Sequence, residues 1–100
     1  MPVIADPEDI TASVLNNIAQ FSGARVLEVG CGKGRITFGY AENTRHVTAI
    51  DPMEDDIQSA NQNKPAHLED RINFLESTIE DFLQPAESEK YDIVLYTFSL

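Results

Sequence analysis

The sequence predicts an open α/β fold in which helices flank a parallel sheet. Short apolar runs at 25–29, 46–51, 71–76 and 91–98 alternate with polar segments of helical character. That alternation is the pattern of parallel strands joined by crossovers. The last run places Ile93, Val94 and Leu95 in succession, as in a strand covered on both faces. A glycine-rich turn, GCGKG (30–34), directly follows the first run. In such sheets ligands bind just beyond the carboxyl ends of the strands.

The elements follow in order. DPEDITASVLNNIAQF (6–21) is expected to be a helix: Asp6 caps it, Pro7 takes the first helical position, and Glu8 and Asp9 meet the positive end of the dipole. Ile10, Val14, Ile18 and Phe21 recur at helical spacing, and Ser22-Gly23 ends the run. RVLEV (25–29) is the first strand. KGRITFGYAEN (33–43) is a helix weakened by Gly34 and Gly39. HVTAID (46–51) is the second strand, and PMEDDIQSANQNK (52–64) a helix ended by Pro65. RINFLE (71–76) is the third strand and IEDFL (79–83) a short helical turn. After the polar loop QPAESEK (84–90), YDIVLYTF (91–98) is the fourth strand.

Composition bounds the function. One hundred residues, 42% of them hydrophobic, make one small domain with a modest core. No apolar stretch approaches the roughly 20 residues that span a bilayer, so no membrane partner is expected. The N-terminus, MPVIADPEDI, lacks the basic head and apolar core of a signal peptide. A single cysteine, Cys31, forms no internal disulfide, which makes a reducing cytoplasm the expected compartment. With 17 acidic residues against 7 basic ones and a net charge of −10, the chain is poorly suited to a phosphate backbone.

The glycine turn admits three kinds of ligand. A triphosphate loop needs glycine five positions before the Gly-Lys pair and a hydroxyl residue after it; Leu27 and Gly34 stand there instead. A dinucleotide is closer, because Gly30, Gly32 and Gly34 depart from its fingerprint by one place. Asp51 also lies near the expected ribose-binding position, about 20 residues on. Glu28 argues against it. A pyrophosphate at this turn would face that carboxylate, and like unit charges ~4 Å apart cost on the order of 4 kcal/mol near a protein surface. A cationic ligand would be attracted, and S-adenosylmethionine carries an ammonium and a sulfonium but no phosphate.

Other readings compete at single positions. Gly34 serves helix–sheet packing or direct contact. Asp51 can cap the helix that begins at Pro52, and Met53 can be plain core. Cys31 has no second cysteine, and His46 and His67 lie in unrelated segments, which disfavours a nucleophile or a metal site. No metal is expected.

VLEVGCGKG (26–34) resembles the first motif of the class I S-adenosylmethionine-dependent methyltransferases. VTAIDPM (47–53) is similar to their second motif, INFLESTIEDF (72–82) to their adenine-side segment, and YDIVLYTFSL (91–100) to their fourth strand and the loop after it. The resemblance covers nearly the whole chain in order. It implies a Rossmann-like sheet with strand order 3-2-1-4 here, truncated from a seven-stranded 3-2-1-4-5-7-6 arrangement. It also implies residue roles. The backbone of Gly30, Cys31 and Gly32 approaches the methionine part, Gly34 joins them as a cofactor-binding residue, and Glu28 meets the amino group directly or through water. Asp51 takes both ribose hydroxyls, while Pro52 shapes the turn and Met53 packs on adenine. Thr78 and Ile79 read the adenine edge, and the backbone of Tyr96 closes the site. Thr78 departs from the acid common at its position, and a hydroxyl accepts more weakly.

The implied activity is methyl transfer to an acceptor, a small molecule or protein rather than nucleic acid. The family's acceptor site is built from later strands, so no catalytic residue is assigned. Alternatively, the chain is a non-catalytic adenosine-cofactor-binding or regulatory module that acts with a partner. Strand 93–98 would be left as an apolar edge, which predicts pairing with more of the same enzyme or a homodimer through 91–98.

Overall fold

The computed structural model describes residues 3–4, 21–82 and 90–97. Its strands are β1 (Val3–Ile4), β2 (Arg25–Val29), β3 (His46–Asp51), β4 (Ile72–Glu76) and β5 (Ile93–Tyr96). All pair in parallel in one sheet of order β1-β5-β2-β3-β4. The described helices are α1 (Arg35–Tyr40), α2 (Glu54–Asn63) and α3 (Ile79–Phe82), with 3₁₀ turns at Ala41–Asn43 and Ala66–Leu68. The expected 3-2-1-4 order is therefore present as β4-β3-β2-β5. The expected helix over 6–21 lies outside the described residues apart from Phe21, as do most of the 84–90 loop and Phe98.

Side chains alternate across the pleat and build a core on each face. Val26, Val47, Ala49, Ile72, Phe74, Ile93 and Leu95 pack on one face with Tyr40 of α1 and with Ile57 and Ala60 of α2. Leu27, Val29, Ile50 and Val94 pack on the other, where Ile79 and Phe82 of α3 join them. Ile93, Val94 and Leu95 are all buried, as expected of a strand covered on both faces.

Three expectations are corrected. The helix expected over 33–43 begins only at Arg35, because Gly34 takes the left-handed φ of 86°, outside helical space. It gives way to the 3₁₀ turn after Tyr40. The helix expected from Pro52 begins at Glu54, because the Met53 amide turns back to donate to Asp51 Oδ1 at 2.9 Å. Asp51 makes this local turn instead of capping the helix. The third correction concerns the sheet edge. β5 is not bare: β1 lies beside it, with Val3 opposite Val94 and Ile4 opposite Leu95. An exposed strand presents a row of backbone donors and acceptors, and two β-branched residues suffice to take some of them up.

Among the described residues, no helix is long and apolar enough to cross a membrane.

Candidate cofactor site

The carboxyl ends of β2, β3 and β5 converge on the glycine turn. Gly30, Gly32 and Gly34 all have positive φ, at 81°, 57° and 86°. That conformation suits glycine and lets the turn fold back on the sheet. The Gly30 and Cys31 amides both donate to the Ile50 carbonyl, at 2.9 and 3.1 Å. The Gly32 amide donates to Asp51 Oδ2 at 2.9 Å, and the Gly34 amide to the Cys31 carbonyl at 3.0 Å. Four of the five amides of the turn are thus engaged inside the protein. A phosphate cradle needs such amides aimed at the ligand. This turn spends its amides inside the protein, and the Asp51 carboxylate bound to it disfavours an anion.

Asp51 is buried, and its two oxygens hold the Gly32 and Met53 amides. A carboxylate has about four acceptor positions, so capacity remains for two hydroxyls. The Asp51 carbonyl also accepts from the Ser77 amide at 3.1 Å, which draws the end of β4 to the same point. Met53 is 58% exposed, the large hydrophobic residue left on the described surface. It is not core; with exposed Pro52 it forms an apolar shelf beside Asp51.

Glu28 departs from expectation. It has 0% exposed surface, so the direct contact with a ligand ammonium is not available to it. Its Oε1 accepts from Thr37 Oγ1 at 2.7 Å and Tyr40 Oη at 2.6 Å, and its Oε2 accepts from Thr97 Oγ1 at 2.7 Å. Burial pushes its carboxyl above the ordinary range, and the Tyr40, Thr37 and Thr97 hydroxyls pull it partly back. The carboxylate stands behind the turn as a support. The case against a pyrophosphate therefore rests on the engaged amides and on Asp51.

Gly34 is explained by packing. A Cβ there would meet Phe74 Cζ at 2.9 Å and Phe38 Cζ at 3.0 Å, so the missing side chain makes room for two rings that meet edge-on. The Cys31 thiol is buried, and burial, with the charges of Glu28 and Asp51, raises its pKa far above the usual thiol range. Its nucleophilic form is suppressed.

Thr78 and Ile79 are half-buried at the start of α3, where Thr78 Oγ1 accepts the Asp81 amide at 3.1 Å. Tyr96 is half-buried opposite Val29 in the register, at the mouth of the site. The structure thus brings Gly30–Gly34, Asp51, Pro52 and Met53 together, with Thr78, Ile79 and Tyr96 on neighbouring strand ends. Sequence reasoning missed Thr37, Tyr40 and Thr97. The signal for them was Glu28 itself, since a carboxylate in a buried strand needs hydroxyl or cationic partners.

Comparison with known proteins agrees with this geometry. The profile of a methyltransferase domain family matches residues 20–99. Over 89 residues the chain is 36% identical to a ubiquinone biosynthesis O-methyltransferase of Rickettsia akari, covering 88% of this chain and 32% of that protein. The crystal structure of protein arginine methyltransferase 10 from Arabidopsis thaliana superposes with a TM-score of 0.69 at 28% identity, over 84% of this chain and 24% of that one. The plantazolicin methyltransferase in complex with SAH gives a TM-score of 0.62 at 22% identity, over 90% of this chain and 33% of that one. The chain spans about a third of the length of the curated relatives it matches.

Proposed function

The chain belongs to the S-adenosylmethionine-dependent methyltransferase family, and from that premise we propose that it supplies the cofactor-binding part of an enzyme that methylates an acceptor. The observation that carries this reading is the glycine turn. Its amides are engaged internally, that of Gly32 on the Asp51 carboxylate, which favours a cationic, phosphate-free ligand over a dinucleotide.

In this reading Asp51 takes the ribose hydroxyls with its two remaining acceptor positions. The Gly30 and Gly32 carbonyls face the ammonium. Met53 supports one face of the adenine, with Thr78 and Ile79 at its edge, and Tyr96 borders the side from which an acceptor enters. When bound, S-adenosylmethionine supplies an activated methyl group on its sulfonium. The residues described here orient that group, and alignment alone can account for much of a methyl-transfer rate.

The net charge of −10 supports a small-molecule or protein acceptor over nucleic acid. The single, buried Cys31 supports a reducing, cytoplasmic setting. A second copy, if one pairs at 91–98, adds at the edge where β1 already covers Val94 and Leu95, so it must displace that strand or pack beyond it.

Calorimetry with S-adenosylmethionine, S-adenosylhomocysteine and NAD tests the proposal. The first two are expected to bind and NAD is not. NAD binding with no response to the other two would refute it.

A further inference from the structure

Thr97 is 2% exposed and sits one residue beyond β5. Its amide donates to the Val29 carbonyl at 2.9 Å, which fixes its place against the end of β2. Its hydroxyl lies 2.7 Å from Glu28 Oε2, 3.1 Å from the Gly30 carbonyl and 3.5 Å from the Val29 carbonyl. One hydroxyl has one proton to donate. Thr97 therefore chooses between the buried carboxylate and a carbonyl of the cofactor turn.

The choice depends on whether Glu28 is ionised. Ionised, Glu28 accepts from three hydroxyls, those of Thr37 and Tyr40 on Oε1 and that of Thr97 on Oε2. Protonated on Oε2, it must donate there, and Thr97 then accepts from it and turns its own proton to Gly30. We propose that Thr97 is a positioning residue for the cofactor, one that releases the Gly30 carbonyl to the ligand's ammonium when Glu28 loses its proton. The inference rests on the cofactor reading above. The proton leaves Glu28 for solvent, no other bond is made or broken, and the ligand's positive charge favours the ionised form.

Tyr40 faces Glu28 from α1, Cys31 lies in the turn, and Asp51 ends β3. Burial and the charge of Glu28 hold Tyr40 protonated, and burial with the Glu28 and Asp51 charges does the same for Cys31. Neither supplies a proton near neutrality. Burial also holds the Glu28 proton to higher pH than an ordinary carboxyl, which gives the ligand a proton to expel.

Calorimetry with S-adenosylhomocysteine between pH 5 and 8, in buffers of different ionisation enthalpy, counts the protons released. The wild-type chain is expected to release protons on binding and to gain affinity with pH, by up to about tenfold per unit. Glu28→Gln carries a permanent donor in place of the protonated acid; it should bind more weakly, release none and show no pH trend. Thr97→Val should lose most of the release and Thr97→Ser should restore it, a pair that carries the test if Glu28→Gln fails to fold. Wild-type binding without proton release, or full release in folded Thr97→Val, would overturn the inference and leave the cofactor reading standing. No binding by wild type would overturn both.

Discussion

The amide of Gly32 donates to Asp51 Oδ2 at 2.9 Å, so the residue expected to hold the ribose also holds the turn expected to face the rest of the cofactor. The bond joins the end of β3 to the loop after β2, and it orients the carboxylate before any ligand arrives. Preorganisation of this kind lowers the ordering cost of binding.

Asp51→Ala should therefore weaken S-adenosylhomocysteine binding through two routes, lost ribose contacts and a loosened turn. The expected loss is about 1.5–3 kcal/mol, the range for hydrogen bonds to a charged group. Calorimetry on protein shown to be folded by circular dichroism is the check. Unchanged affinity would leave Asp51 with only its role in the turn.

Gly34→Ala should destabilise the fold by about 1–3 kcal/mol, from left-handed strain and from the clash with Phe74 and Phe38. Urea denaturation measures it. Below the unfolding transition, cofactor affinity should change little. A large loss of affinity in a chain of normal stability would mean that Gly34 touches the ligand after all.

Glu28 predicts a pH dependence with a definite sign. In the unfolded chain its carboxyl titrates near 4.3. In the folded chain burial raises it, so between the two values the folded state keeps a proton that the unfolded state has lost. Stability should fall as pH rises through that window, by at most about 1.4 kcal/mol per unit, and level off above it. Subtracting the Glu28→Gln profile from wild type isolates this contribution. A difference that is flat with pH would show that Glu28 is not shifted.

Tyr40→Phe removes the 2.6 Å hydrogen bond to Glu28 without changing the ring that packs against Phe21. It should cost about 1–3 kcal/mol and move the pH window higher, because a group that favours the charged form is gone. Equal stability at every pH would show the bond to be unimportant.

Much of this was legible in the sequence. The four longer strands and the positions of the glycine turn and Asp51 follow from periodicity and spacing, which depend on local pattern; the strand order and the place of Met53 came from the family resemblance. β1 was not legible, because two residues are too short for any period and their pairing is decided by what β5 leaves open. Asp51 was read as cap or ribose acid, yet its bond to Gly32 joins residues 19 apart in sequence and forms only when β2 and β3 pair. Glu28 was singled out as the partner of a cationic ligand, whereas in the structure three protein hydroxyls hold it. Its partners Thr37, Tyr40 and Thr97 lie on a helix and beyond a distant strand, and which way the side chain faces is fixed by the sheet.

The most direct test of the account is a crystal structure of the chain with S-adenosylhomocysteine bound. The account predicts both ribose hydroxyls within hydrogen-bond distance of the Asp51 carboxylate, the Gly32–Asp51 bond intact, the adenine against Met53, and the ammonium at the Gly30 carbonyl. A ligand bound away from the carboxyl ends of β2 and β3, or a ribose that makes no contact with Asp51, would contradict it.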